Sequence, residues 1–350
     1  MKISARDNLL RAYKFENPEW IPASLYISMD AWYYRREMVK RLTNEFPDVT
    51  DPAEYNLNMD ETNAPRPYIP GEYLDNWGCV WKNIYLGVEG QVIKPALEDW
   101  NNFDAYRPPD FNELTEWGTA NWDEIVEDNK EKKKTGRLTQ GNGGRLFDRL
   151  YFLRGFENLM MDFAEEHPKL PLLIEMLWEH SLGNAKKWLD IGVDVLAFHT
   201  DIGTQASLMI SPAQFRKYIK PMFKDIFQTA RKRGALVSLS SDGNLTSIVD
   251  DLIECGVNSH DPQYRACTLA GIKNNYYGKP IMIKLDLDRQ MFPFAAPAEI
   301  DAHVLNSVRE LYRKEGGLSL MGAIYGGDVS EENIWALANA LRKYCLNMEF

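Results

Sequence analysis

Four short apolar runs in the second half of the chain each end in a cluster of residues able to do acid–base or hydrogen-bonding chemistry. After Val195-Leu196-Ala197-Phe198 come His199, Asp201 and Gln205, and after Leu236-Val237-Ser238-Leu239 come Ser240, Ser241, Asp242 and Asn244. Val257 leads into His260, Asp261 and Gln263, while Ile281-Met282-Ile283 leads into Asp286, Asp288, Arg289 and Gln290. Carboxylates hold a cation or exchange a proton, imidazoles transfer protons near neutrality, and amides and hydroxyls orient a bound molecule. Asp, Ser and Asn at such places also cap a following helix, so Asp242 and Asn244 carry a structural reading beside the chemical one.

The elements that must position these clusters alternate in a regular rhythm. Candidate strands at Arg137–Asn142, Asp194–Thr200, Ala235–Ser241, Val257–Asp261, Pro280–Asp286 and Gly317–Gly322 are each followed by a helical pattern, the signature of βα units on a parallel sheet. Ile21–Ser28 reads as a first strand, and an eighth is expected between residues 30 and 136. The helix signals are specific: Ser211-Pro212 pairs an N-cap with proline at the first helical position, and that helix should end at Gly234. Asn244 is placed to cap Leu245–Cys255 before Gly256, and Pro297 to open Ala298–Lys314 before Gly316-Gly317. The expectation is α/β: one (β/α)8 TIM-barrel domain over 1–350 with an N-terminal elaboration. A lid-like excursion over about residues 60–110 contains a hairpin formed by Trp77–Trp81 and Val88–Val92. In such barrels the loops at the C-terminal strand ends build the active site, which is where the four clusters lie.

Composition narrows the partners. A formal charge of −11 argues against nucleic acid, whose binding needs clustered Lys and Arg; the run Lys130–Lys134, broken by Glu131, reads as a solvated linker. Four cysteines, Cys79, Cys255, Cys267 and Cys345, form no C-x-x-C pair, so neither a zinc knuckle nor a disulfide framework is expected. No apolar run reaches the roughly 20 residues that span a bilayer, and Met1–Phe15 does not read as a signal peptide. A cytoplasmic protein is expected, with a homodimer compatible with the sequence.

Asp201-Ile202-Gly203-Thr204-Gln205, followed by Ile210-Ser211-Pro212 and Tyr218-Ile219-Lys220-Pro221, resembles a segment of the uroporphyrinogen-decarboxylase-like superfamily. Ser240-Ser241-Asp242-Gly243-Asn244, Asp288-Arg289-Gln290, Gly316-Gly317 and Glu332-Asn333-Ile334 extend the likeness, as do Asp75–Trp81 and Arg154–Glu157 upstream. True decarboxylases of this superfamily bind the porphyrinogen's carboxylates with an arginine-rich R-Q-A-G-R-Y segment, and Tyr26–Arg36 has nothing like it beyond the tandem Arg35-Arg36. Zinc-dependent methyltransferases of the superfamily use an H-x-C pair and a later Cys. The corresponding positions here are Ser240, Asp242 and Gly322 or a near neighbour, so an S-rich zinc site is not expected.

The resemblance implies a methyltransferase moving a methyl group between a small methylated molecule and a corrinoid held by a partner protein. Catalytic roles are expected for Asp242, His199 and His260, the last as a proton donor. Substrate binding is expected for Asp201, Gln205, Ser240, Ser241, Asn244, Gln263, Asp286 and Arg289. The 10 Trp and 17 Tyr offer walls for a small apolar or quaternary substrate, although most such residues serve packing. A cofactor-free decarboxylase or lyase, and a small-molecule binding protein, are the alternative readings.

Overall fold

The computed structural model describes residues 3–50, 64–115 and 118–350. The strands, in chain order, are β1 Ala23–Ile27, β2 Gly71–Leu74, β3 Val80–Asn83, β4 Gln91–Lys94, β5 Gln140–Gly144, β6 Val195–His199, β7 Leu236–Ser240, β8 Ser259–His260, β9 Met282–Asp286 and β10 Leu318–Ile324. The chain groups into two compact units. One comprises Met1–Pro70, Asn83–Gly90 and Asp261–Phe350; the other comprises Gly71–Lys82 and Gln91–His260.

In the second unit β5, β6, β7 and β8 run parallel and side by side. Val195, Leu196, Ala197 and Phe198 of β6 are all buried, as a parallel strand covered on both faces requires. The covering comes from amphipathic helices. On Lys220–Lys232 the buried residues Met222, Phe223, Ile226, Phe227 and Ala230 recur at helical spacing, and Phe227 meets Phe198 with ring centroids 4.8 Å apart. The expected Ser211-Pro212 start is a full capping box with Gln214, and the helix hands over to Gly234 at φ +87°.

Several boundaries differ from the sequence reading, each for a local reason. β5 starts at Gln140, not Arg137, because Arg137 closes the preceding helix through its N–H to the Lys132 carbonyl (2.8 Å). The segment after Asn244 begins as a 3-10 turn, Thr246–Ile248, before the helix Val249–Cys255 stops at Gly256. The helix from Pro297 ends at Leu311. The expected hairpin is a three-stranded sheet in the order β2-β3-β4, in which β3 pairs with Gln91–Lys94. Residues 60–63 of that excursion lie outside the described residues.

The first unit holds β9, β10 and β1, again parallel, with β10 in the middle. Leu25 of β1 also makes a parallel bridge to Thr50, which is where the eighth strand was expected; residues 51–63 lie outside the described residues. The helix Ala5–Lys14 docks at the start of β10. Gly317 donates to the Ala12 carbonyl (2.9 Å), and a Cβ there would lie 2.1 Å from the Phe15 ring, which explains the Gly316-Gly317 pair.

One buried ion pair organises the excursion of the second unit. Asp75 Oδ1 accepts from the N–H groups of Trp77 (3.0 Å) and Cys79 (2.7 Å), and Oδ2 accepts from Trp81 Nε1 (2.9 Å) and Arg149 Nη1 (3.0 Å). Removing one partner strands the other charge in a dry interior, typically a cost of about 3–5 kcal/mol. Asp75→Ala should therefore lower stability by about that amount in denaturant unfolding, and a loss below about 1 kcal/mol would contradict the assignment.

Candidate active site at the strand ends

β6 and β7 end in register, His199 opposite Ser240, and the Thr200 N–H donates to the Ser240 carbonyl at 2.9 Å. Beyond the sheet the two loops stay laced together. The Ile202 N–H donates to Ser241 Oγ (3.2 Å), the Asp242 N–H to Asp201 Oδ1 (2.8 Å) and the Asn244 N–H to the Thr204 carbonyl (2.8 Å). Such close approach needs glycine on both sides. A Cβ on Gly243, at φ +91°, would sit 2.4 Å from the Gly203 carbonyl carbon, and one on Gly203 would sit 2.8 Å from the Asp242 carbonyl oxygen.

The result is a carboxylate on a fixed backbone. Asp242 and His199 are exposed, Asp201 and Ser240 half-buried and Ser241 buried. Asp201, expected to bind substrate, accepts the main-chain N–H of Asp242. Asn244 departs from its expected role in substrate binding: its Oδ1 accepts from the N–H (3.1 Å) and hydroxyl (2.6 Å) of Thr246, so it caps the following turn. Gln205 is exposed in a turn where Thr204 Oγ1 receives the N–H groups of Ala206 and Ser207.

His260 lies opposite Leu239 in β8 and is fully buried. Burial disfavours its cation and pushes its pKa down to about 3, so the ring is neutral at neutral pH. The proton-donor role expected from the sequence therefore has no imidazolium behind it.

In the other unit, Gln263 bridges to Asp286 and both are buried. Arg289 lies 3.9 Å from Asp286, stacks over Tyr325 at 5.2 Å and donates to its hydroxyl at 3.3 Å. Asp288 is structural: Arg265 grips both its oxygens, and its N–H donates to His303 Nε2 (3.2 Å). Sequence reasoning passed over two further strand ends here. After β1, Ser28 donates to Asp30, which also accepts from the Ala31 N–H (2.9 Å); after β10 come Tyr325 and Asp328. A Cβ on Gly326 would lie 3.3 Å from Asp30 Oδ2, so these two ends are neighbours. The signal available was a polar turn directly after each apolar run.

The donors do not fit a zinc–thiolate centre. Gly322 lies inside β10, where a side chain would run into Leu337 at 2.9 Å. All four cysteines are buried, and burial drives the thiols of Cys79, Cys255 and Cys345 up to about 12. Among the described residues no three His, Cys, Asp or Glu side chains come together as a metal would require.

The sequence profile of the uroporphyrinogen decarboxylase (URO-D) family matches residues 91–344. No curated protein matches the chain. Among solved structures, a methyltransferase from Methanosarcina mazei aligns with a TM-score of 0.67 at 14% identity, covering 98% of this chain and 99% of that one. A dihydropteroate synthase from Xanthomonas albilineans aligns at 0.36 and 10% identity over 59% of this chain and 68% of that one. A D-psicose 3-epimerase aligns at 0.40 and 10% identity over 65% and 85%. The full-length likeness gives the fold, the TIM-barrel α/β class expected from the βα rhythm.

The neutral His260 makes stability depend on pH. The unfolded chain binds a proton at the ordinary histidine value near 6.5 and the folded chain only near 3, so this group's contribution is complete above about pH 6.5 and is lost as pH falls toward 3. By pH 5 the loss is about 2 kcal/mol. His260→Asn should lose correspondingly less stability than the unaltered protein between pH 7 and pH 5 in denaturant titrations. Parallel losses would contradict the burial of a neutral imidazole.

Proposed function

The chain belongs to the uroporphyrinogen decarboxylase (URO-D) family, and from that membership we propose that it is a methyltransferase, moving a methyl group between a small methylated molecule and a corrinoid carried by a partner protein. The observation that carries this reading is the pair of laced loops, which hold an exposed Asp242 at the C-terminal ends of two adjacent parallel strands. That is where this fold class does its chemistry. The likeness to a methyltransferase along the whole of both chains supports it.

The residues after β1 favour this reading over decarboxylation of a porphyrinogen. A polyanionic substrate calls for cations there, and the chain offers Ser28 and the buried Asp30. Arg35 is committed elsewhere, its Nη1 donating to the Val329 carbonyl at 2.5 Å. A net charge of −11 is equally ill matched to such a substrate.

Methyl transfer in line leaves the donor's heteroatom with the electron pair of the broken bond, and the corrinoid, as co-substrate, supplies the pair for the new one. The chain's work is to place the donor and stabilise its heteroatom. Asp242 is assigned to that atom. Toward a methylated ammonium its carboxylate holds the positive charge; toward an ether oxygen it orients the acid that supplies the departing oxygen's proton. His199 and Ser240 complete the polar centre, and Asp201 fixes the main chain beneath it. Ser241 locks the two loops, and Gln205 stands at their rim.

The test is incubation with a reduced corrinoid protein and a panel of methylated ethers and amines, following the cobalt spectrum. Asp242→Asn retains size and much of the hydrogen bonding but removes the charge, and should lower turnover by roughly two to four orders of magnitude with folding intact. Normal turnover by the variant would reduce Asp242 to a loop residue. Action on a substrate with no corrinoid present would replace methyl transfer by the cofactor-free lyase reading.

A further inference from the structure

Below the laced loops, the sheet of the second unit has one face against helices and one turned away from them. Phe198 meets Phe227 of the covering helix, and a Cβ on Gly143 would lie 2.4 Å from the Phe198 ring, so both positions face the helices. Gly141 does too, since a Cβ there would lie 3.0 Å from Trp188 of the helix Leu170–Ile191. Side chains alternate along a strand, which turns Asn142, Ala197 and His199 to the inner face.

The register carries that face across four strands. Asn142 pairs with Ala197, Ala197 with Ser238 and Ser238 with Ser259, one row below the pair His199 and Ser240. In barrels of this class such rows are filled mostly by Val, Ile and Leu. Here the row is an amide, a methyl and two hydroxyls. Asn142 is exposed and Ser238 half-buried, like Ser240 above it, so the row is open to solvent and other side chains do not fill it. Ser259 is fully buried and donates its hydroxyl to Ser238 Oγ at 3.0 Å. A hydroxyl that accepts still has its own proton to give, and the bond it accepts strengthens the one it makes. Two residues of strand put Ser238 about 6.6 Å below Ser240, comparable with a two-carbon frame and one hydrogen bond of about 2.8 Å.

Resting on the methyl-transfer reading, we propose that the methyl donor is a short hydroxylated molecule, its methylated heteroatom at Asp242 and a hydroxyl two carbons away on Ser238. A hydrocarbon remainder would strip water from this row and return no hydrogen bond to it, whereas a hydroxyl replaces the water it displaces. The donor class is therefore the 2-hydroxyethyl ethers and ammonium ions, as opposed to their alkyl counterparts.

Two matched pairs isolate the hydroxyl: 2-methoxyethanol against 1-methoxypropane, and choline against propyltrimethylammonium, each exchanging OH for CH3. Dissociation constants of the full chain for all four are read by ligand-observed NMR titration, which needs no corrinoid. In at least one pair the hydroxylated member should bind about two- to tenfold more tightly, the worth of one net hydrogen bond, and in Ser238→Ala that preference should vanish. An apolar surface favours the methyl group. Equal affinities, or a preference for the alkyl member, in both pairs would therefore overturn the proposal, and this comparison stands even if the variant does not fold. So would failure of all four to bind, or a hydroxyl preference that survives in Ser238→Ala. The preferred donor is then supplied together with a reduced corrinoid protein. A change in the cobalt spectrum supports both claims. A Ser238-dependent hydroxyl preference with no methyl transfer would overturn the methyl-transfer reading and leave the hydroxyl seat standing, so the two failures are told apart.

Discussion

The hydrogen bond from the Asp242 N–H to Asp201 Oδ1, 2.8 Å long, is the constraint on which the candidate site depends. It forms only because Gly203 and Gly243 let two main chains approach more closely than any Cβ would allow. Parallel strands end in register at His199 and Ser240, and the lacing carries that register past the sheet into residues that would otherwise be ordinary loop. An exposed carboxylate on a mobile loop is of little catalytic use, since ordering it would draw on the binding energy of each substrate. Here the backbone is ordered in advance, and the side chain alone remains to adjust.

The same economy of charge recurs away from the strand ends. The chain has a net charge of −11, and among its described residues two arginines are buried, each with its own carboxylate: Arg149 with Asp75 at 3.0 Å and Arg154 with Asp162 at 2.7 Å. Both guanidinium groups also lie over indole rings, Arg149 over Trp77 at 4.8 Å and Arg154 over Trp100 at 4.6 Å. Matched cations of this kind tie loops to the core and contribute little net potential. The negative character of the molecule is therefore expressed at exposed carboxylates such as Asp242, which suits a cationic or proton-requiring heteroatom better than an anion.

Much of this was legible in the residues, and the reasons are particular. β6 and β7 stood out because buried parallel strands demand unbroken apolar runs, and Ser211-Pro212 because a cap followed by proline has few other uses. β5 was blurred because its sequence, Gln140-Gly141-Asn142-Gly143-Gly144, is not apolar: its glycines make room for Trp188 and Phe198, a tertiary demand that no local pattern carries. The polar ends of β6 and β7 were found, whereas Asp30 and Tyr325 were missed, because their turns resemble any other loop until Gly326 is seen against Asp30. Asn244 looked equally fit to bind or to cap, and only the hydrogen bonds from Thr246 decide for the cap. His260 looked like an acid because sequence gives residue type but not burial, and burial is what keeps it neutral.

If Asp201 serves the reaction only by fixing the main chain of Asp242, the two residues act as one unit, and a double-mutant cycle on methyl transfer tests this directly. Turnover is compared for Asp201→Ala, Asp242→Ala and the double variant, with a reduced corrinoid protein as acceptor. The account predicts that each single change is damaging and that the double variant is within about threefold of Asp242→Ala alone, since positioning a side chain that is gone has no further value. Effects that multiply would contradict it, and would give Asp201 a task of its own.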